Sequence, residues 1–180
     1  MAEAGSIPPP AAGWRNAWPL NVNKALLLVR VVVGGLFVGH GAQKLFGWFG
    51  GEGITGTIGT MEKIGAQPAP FWAYLEATTE LVAGLMLAVG LLVPVAAAAL
   101  VGDMVVAILR VHAPKAFWSQ FGGWEYNLVL IALLVALGVV GAGRYALDRY
   151  LPLALPRPWT FMAALVVTGG LVALALFGLP

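Results

Sequence analysis

A-L-L-L-V-R-V-V-V-G-G-L-F-V-G-H-G-A-Q-K-L-F, from Ala25 to Phe46, decides the fold. At 1.5 Å rise per residue it is long enough to cross roughly 30 Å of hydrocarbon as one helix. Four further apolar runs follow: Phe71 to Val93, Val95 to Val111, Tyr126 to Ala142 and Trp159 to Leu179. Pro94 leaves almost no loop between the second and third runs, so those two helices are expected to be antiparallel neighbours. Composition agrees. Sixty per cent of the 180 residues are apolar and 10% are charged, against about 25% charged in a typical soluble domain. A soluble globule so poor in polar residues could not cover its own surface. The expected fold is therefore an all-α integral membrane protein. It is an antiparallel four-helix transmembrane bundle over 24–150, preceded by a tail over 1–23. A linker and an additional C-terminal transmembrane helix follow over 151–180.

The segments between the runs are punctuated. Residues 1–23 carry Glu3, Arg15 and the consecutive Pro8, Pro9 and Pro10, which is not the pattern of a signal peptide. Trp14 and Trp18 suit the headgroup zone. Glycines from Gly47 to Gly59 loosen the first loop, in which Ile54, Ile58, Met61 and Ile64 recur near helical spacing. That stripe predicts a short helix lying flat on the bilayer surface. Trp118, Phe121 and Trp124 form an aromatic belt before the fourth run. Lysine and arginine in the flanks favour an N-terminus inside: Arg15, Lys24, Arg144, Arg149 and Arg157 fall on one side, and Lys44, Lys63 and Lys115 on the other.

Several function classes are excluded. The absence of cysteine removes disulfides, thiolate catalysis and iron–sulfur ligation. A scattered net charge of +2 gives no footprint for nucleic acid. There is no phosphate-binding glycine loop. Haem is not expected, because His40 and His112 are the only histidine pair and both lie at helix ends. No metal is expected either, since no Glu-x-x-His spacing occurs within a run.

What remains is a set of ionisable residues inside apolar runs, where each is costly and therefore a site hypothesis. With the alternating topology, His40, Gln43, Lys44, Glu76, Arg110, His112, Glu125, Tyr126 and Asn127 all fall toward the outer ends of four helices. Glu80 shares a helical face with Glu76. Together they predict a polar pocket in the outer half of the bundle. Arg30 and Asp103 fall deeper and could pair with each other or with Glu80. The plain alternatives are register-fixing ion pairs for the deep residues and snorkelling for Lys44 and Arg110. For His40 the alternative is a bond to a backbone carbonyl.

The stretch L-F-V-G-H-G-A-Q-K-L-F-G-W-F-G-G, Leu36 to Gly51, resembles the first-span signature of the DoxX family of small bacterial and archaeal membrane proteins. Y-L-E-A-T-T-E-L-V-A-G (Tyr74 to Gly84), G-G-W-E-Y-N before the fourth run and G-x-G-R-Y-x-L-D (Gly141 to Asp148) fit as well. The resemblance implies a multi-pass protein of the cytoplasmic membrane associated with quinone-linked redox chemistry, with quinone as a possible cofactor. In that role His40 or Lys44 would hydrogen-bond a quinone carbonyl, while Glu76 or Glu80 carried the proton. Electrons would come from a partner or directly from a donor such as thiosulfate. The alternative is a non-catalytic accessory subunit of a larger membrane complex, which the fifth apolar run favours. Lipids and other membrane subunits, or further copies of the chain, are the expected partners. A transporter is a third reading, without visible inverted repeats.

Overall fold

The computed structural model describes residues 19–150 and 157–177, and among them every regular element is helical. The tail with Trp14 and the linker prolines Pro152 and Pro156 lie outside those residues. Among the described residues six α-helices follow in order: α1 (Pro19–Phe46), α2 (Gly53–Lys63), α3 (Ala69–Val89), α4 (Val93–Ala107), α5 (Glu125–Val140) and α6 (Arg157–Phe177). A π turn, Ile108–His112, prolongs α4. Among the described residues four stretches are long and apolar enough to cross a membrane: Val22–Phe46, Ala69–Val89, Val93–His112 and Pro158–Phe177. The expected fourth span differs. It forms α5, whose 16 residues extend only about 24 Å.

Lipid tails are as apolar as leucine, so burial from water does not hold such helices together. Close contact does. α1 packs along α3 in opposite order, with Gly34 against Gly84 and Ala88, and Gly41 against Leu81. A Cβ at Gly34 would lie 2.5 Å from the Gly84 carbonyl oxygen. The small residues thus let two backbones touch. At Gly35 and Gly39, by contrast, a Cβ would meet open space. α4 is the central helix, packed by α3, α5 and α6. Phe37, Leu87, Leu100, Leu134 and Leu137 form its surrounding core, and Phe161 of α6 joins them.

The turn between α3 and α4 is made by Gly90 and Leu92, both left-handed, while Pro94 sits in the first turn of α4. Proline is tolerated there because that N–H has no helical partner. The expected short helix forms as α2, and its apolar stripe packs on protein. Met61 packs with Ala69, Trp72 and Ala73 of α3, and Ile54, Ile58 and Ile64 adjoin them.

The Gly141–Asp148 segment folds back on the opposite end of the bundle. Asp148 accepts from the backbone N–H of Leu92 at 2.6 Å and of Val93 at 3.3 Å, capping α4. Its own N–H donates to the Gly90 carbonyl at 2.9 Å. Arg144 N–H donates to Asn23 Oδ1 at 2.9 Å. This motif ties the ends of α1, α3, α4 and α5 together.

Candidate functional site

Three helices bring one base and three acids together. Lys44, in the last turn of α1, sends Nζ to Glu76 Oε1 at 2.5 Å and to Glu80 Oε2 at 3.0 Å. Glu76 and Glu80 are one turn apart on α3, which is why one ammonium reaches both. The Glu80 contact is an ion pair rather than an aligned hydrogen bond, since Oε2 remains without a hydrogen-bond partner. Asp103 of α4 completes the group: carboxylate oxygens of Glu76, Glu80 and Asp103 lie within 4.8 Å of one another. Glu80 is 3% exposed. One ammonium faces three carboxyl groups, so protons or a cation must meet the excess. Such oxygens are close enough for one cation to touch, and Lys44 already places a positive charge beside them.

The deep ion pair Arg30–Asp103 is corrected by this arrangement. Arg30 is fully buried and its Nη2 donates to the Tyr145 carbonyl. Its Nη1 lies over Gly90, where a Cβ would come within 1.7 Å. Arg30 belongs with the Gly141–Asp148 tie, and Asp103 with the charged cluster.

Two cavities touch the cluster from different sides. A polar one, about 1020 Å³ including its mouth, is lined by His40, Lys44, Glu80, His112, Tyr126 and Asn127 among others. An apolar one, about 720 Å³ including its mouth, lies between α3, α4 and α6 and is lined by Glu76, Asp103 and Arg110 with mostly aliphatic neighbours. The remaining expected residues play local roles. Gln43 accepts from His40 Nδ1 at 3.1 Å and donates to the Phe49 carbonyl at 3.4 Å. Glu125 accepts from Ser119 N–H at 2.9 Å. Neither lines these cavities. His112 Nδ1 donates to the Gly122 carbonyl at 2.8 Å. Asn127 Nδ2 lies 3.4 Å from the Met104 sulfur. Arg110 donates to the carbonyls of Ile64 and Leu176. Those carbonyls lie at the ends of α2 and α6, where a cation is favourable. Arg110 thus stands on the apolar side, away from His40 and His112. The α6 residues Thr168, Val172 and Ala175, which line the apolar cavity, were missed because the apolar run Trp159 to Leu179 carries no charged residue to mark a site.

Fold and site define a small multi-pass helical membrane protein with a buried acid–base cluster between helices. A DoxX family model matches residues 25–113. The chain is 34% identical over 161 residues to a Mycobacterium tuberculosis protein named "Uncharacterized membrane protein Rv3486", covering 84% of this chain and 94% of that one. It is 29% identical over 124 residues to a Bacillus subtilis protein named "Putative oxidoreductase CatD", covering 69% and 84% of the two chains. No solved structure matches significantly. The chain belongs to the DoxX family.

Proposed function

We propose that this chain is a membrane subunit of quinone-linked redox chemistry, with the Lys44–Glu76–Glu80–Asp103 cluster as its acid–base centre. The observation that carries the reading is that cluster: four ionisable side chains from three helices, set between two cavities. The name of the Bacillus subtilis relative supports the redox part. Reducing a quinone consumes two electrons and two protons. The carboxyl groups hold the protons, and a reduced donor outside the chain, such as thiosulfate, supplies the electrons. Residues 24–150 act as one unit in this reading, closed by the Asp148 bonds to the α3–α4 turn.

Glu76→Gln tests it. The change keeps size and hydrogen bonding but removes the charge and the proton-carrying group. Lys44 retains Glu80 as a partner, so the variant should fold. Purified in mild detergent, it should carry less quinone than the native chain at an unchanged melting temperature. Equal quinone content would remove the redox assignment from this cluster.

The reading also keeps the N-terminus inside, on the lysine and arginine bias. The chain has no cysteine, so Ser6→Cys and the exposed Glu62→Cys can be labelled one at a time. They should react with an impermeant reagent from opposite sides of the membrane. Labelling of both from one side would overturn the topology.

A second reading, an accessory subunit of a larger membrane complex, rests on α6. Only 6% of its apolar window is buried, and Val166, Val167 and Phe177 are exposed. A subunit that copurifies stoichiometrically with a quinone-free chain would favour this reading.

A further inference from the structure

Both histidines line the polar cavity, His40 from α1 and His112 from the π turn that prolongs α4. Each ring is held at its Nδ1. His112 Nδ1 faces the Gly122 carbonyl at 2.8 Å. A carbonyl only accepts, so this nitrogen carries the proton. His40 Nδ1 faces Gln43 Oε1 at 3.1 Å. Gln43 turns that oxygen toward the ring because its own Nε2 donates to the Phe49 carbonyl at 3.4 Å. His40 therefore donates through Nδ1 as well. In a neutral imidazole the other nitrogen then bears the lone pair. Both rings are set in the same tautomer, and neither Nε2 has a hydrogen-bond partner among the described residues. The backbone behind the two rings is unusual on both sides. Phe49 has φ 54, a left-handed conformation unfavourable for any residue but glycine. Gly122 is left-handed at φ 77, and His112 lies in a π turn, an element frequent at functional sites. Two separate irregular segments thus orient one histidine each.

An imidazole that donates Nδ1–H to an oxygen and keeps Nε2 free has the arrangement of a metal-bound histidine, in which that bond fixes the ring and raises its basicity. We propose that His40 and His112 together bind a divalent first-row transition ion, of the kind imidazole suits, through their Nε2 atoms in the polar cavity. Gln43, Phe49 and Gly122 position the rings. Water fills the remaining coordination positions, and Tyr126 and Asn127 on the same wall hydrogen-bond it. Charge permits a cation here. Lys44 shares the wall, but its ammonium is paired with Glu76 and Glu80. Asp103 brings a third carboxyl group within 4.8 Å of those two. Spacing within one apolar run does not mark the site, because its ligands come from two helices. The site is independent of the redox reading, whose acid–base centre is the Lys44 cluster.

The test uses the full chain, free of any histidine tag, in lipid nanodiscs titrated with copper(II), zinc(II) and cobalt(II). The native chain should bind a single ion, with copper held more tightly than zinc or cobalt. The paramagnetic resonance spectrum of the copper form should show two imidazole nitrogens. His40→Ala and His112→Ala should each weaken copper binding by about 100-fold or more. Gln43→Leu leaves both ligands in place but frees the His40 ring, and should weaken binding by about tenfold. Thr168→Val, in the apolar cavity, should bind as the native chain does. Each variant is checked for monodispersity, and the resonance spectrum of the native chain tests the site even where a variant fails to fold. A spectrum with one imidazole nitrogen or none would overturn the paired site. Native affinity in either histidine variant would overturn it as well. Binding lost in Glu80→Gln but kept in both histidine variants would move the ion to the acids and overturn this site. Haem held by the same two imidazoles in the purified chain would overturn the hydrated ion. Failure of all three ions to bind would overturn the site outright and leave the redox reading untouched.

Discussion

Lys44→Met should cost the protein about 3 kcal/mol of stability, the lower end of what breaking a buried ion pair costs, because Lys44 is partly exposed. Methionine fills a similar length but brings no charge and no donor. Glu76 and Glu80 would each lose their ion-pair partner, while Asp103 stays within reach of both. Like charges would then confront each other with nothing between them. The expected result is a marked fall in melting temperature in detergent and a low yield of monodisperse protein. Lys44→Met combined with Glu80→Gln should recover part of the loss, since coupled sites do not add. A native melting temperature in the single variant would show that the cluster contributes nothing to folding.

Gly34→Val should also be damaging, for a reason unconnected with charge. A Cβ at Gly34 would sit 2.5 Å from the Gly84 carbonyl oxygen and 2.7 Å from the Ala88 backbone nitrogen. Those are backbone atoms, so no side chain can swing aside. α1 and α3 would have to separate, and Lys44 would be drawn away from both glutamates. Overpacking of this kind costs about 1–3 kcal/mol or more. Gly35→Val serves as control, because a Cβ there meets open space. Thermal melts of the two variants should diverge, with Gly35→Val near native. Equal melting temperatures would contradict the close contact between α1 and α3.

The apolar runs made the helices legible, because hydropathy over some twenty residues is a strong signal. Lys44, Glu76 and Glu80 could also be grouped beforehand, since their depths follow from counting residues along antiparallel helices. The same counting, carried further, separates Arg30 from Asp103. Arg30 lies about 24 Å along the helix from Phe46, whereas Asp103 lies about 14 Å from His112. Asp103 is therefore level with Glu80. What counting along the axis cannot supply is rotation about it. That is why Arg110 was grouped with His112, although the two serve different cavities. Glu125 and Gln43 were misread for another reason. Glu125 accepts from a loop N–H, and Gln43, besides its bond with His40, donates to a loop carbonyl; loop paths leave little trace in residue type.

The π turn at Ile108–His112 is the one place where the central helix departs from its regular winding. A π turn accommodates one residue more than an α turn of the same kind, so it acts as a phase adjustment in α4. Upstream of it, Gly102 packs on Thr168 of α6 and Asp103 joins the acids. Within it, Arg110 reaches the ends of α2 and α6, and His112 reaches Gly122. Both sets of contacts depend on one angular offset carried by five residues. Length changes in the loops leave that offset untouched, whereas adding or removing a residue in the turn rotates one set relative to the other. The register of α4 is thus a single coordinate shared by both sides of the bundle, and neither side can be retuned by insertion or deletion there without disturbing its neighbour.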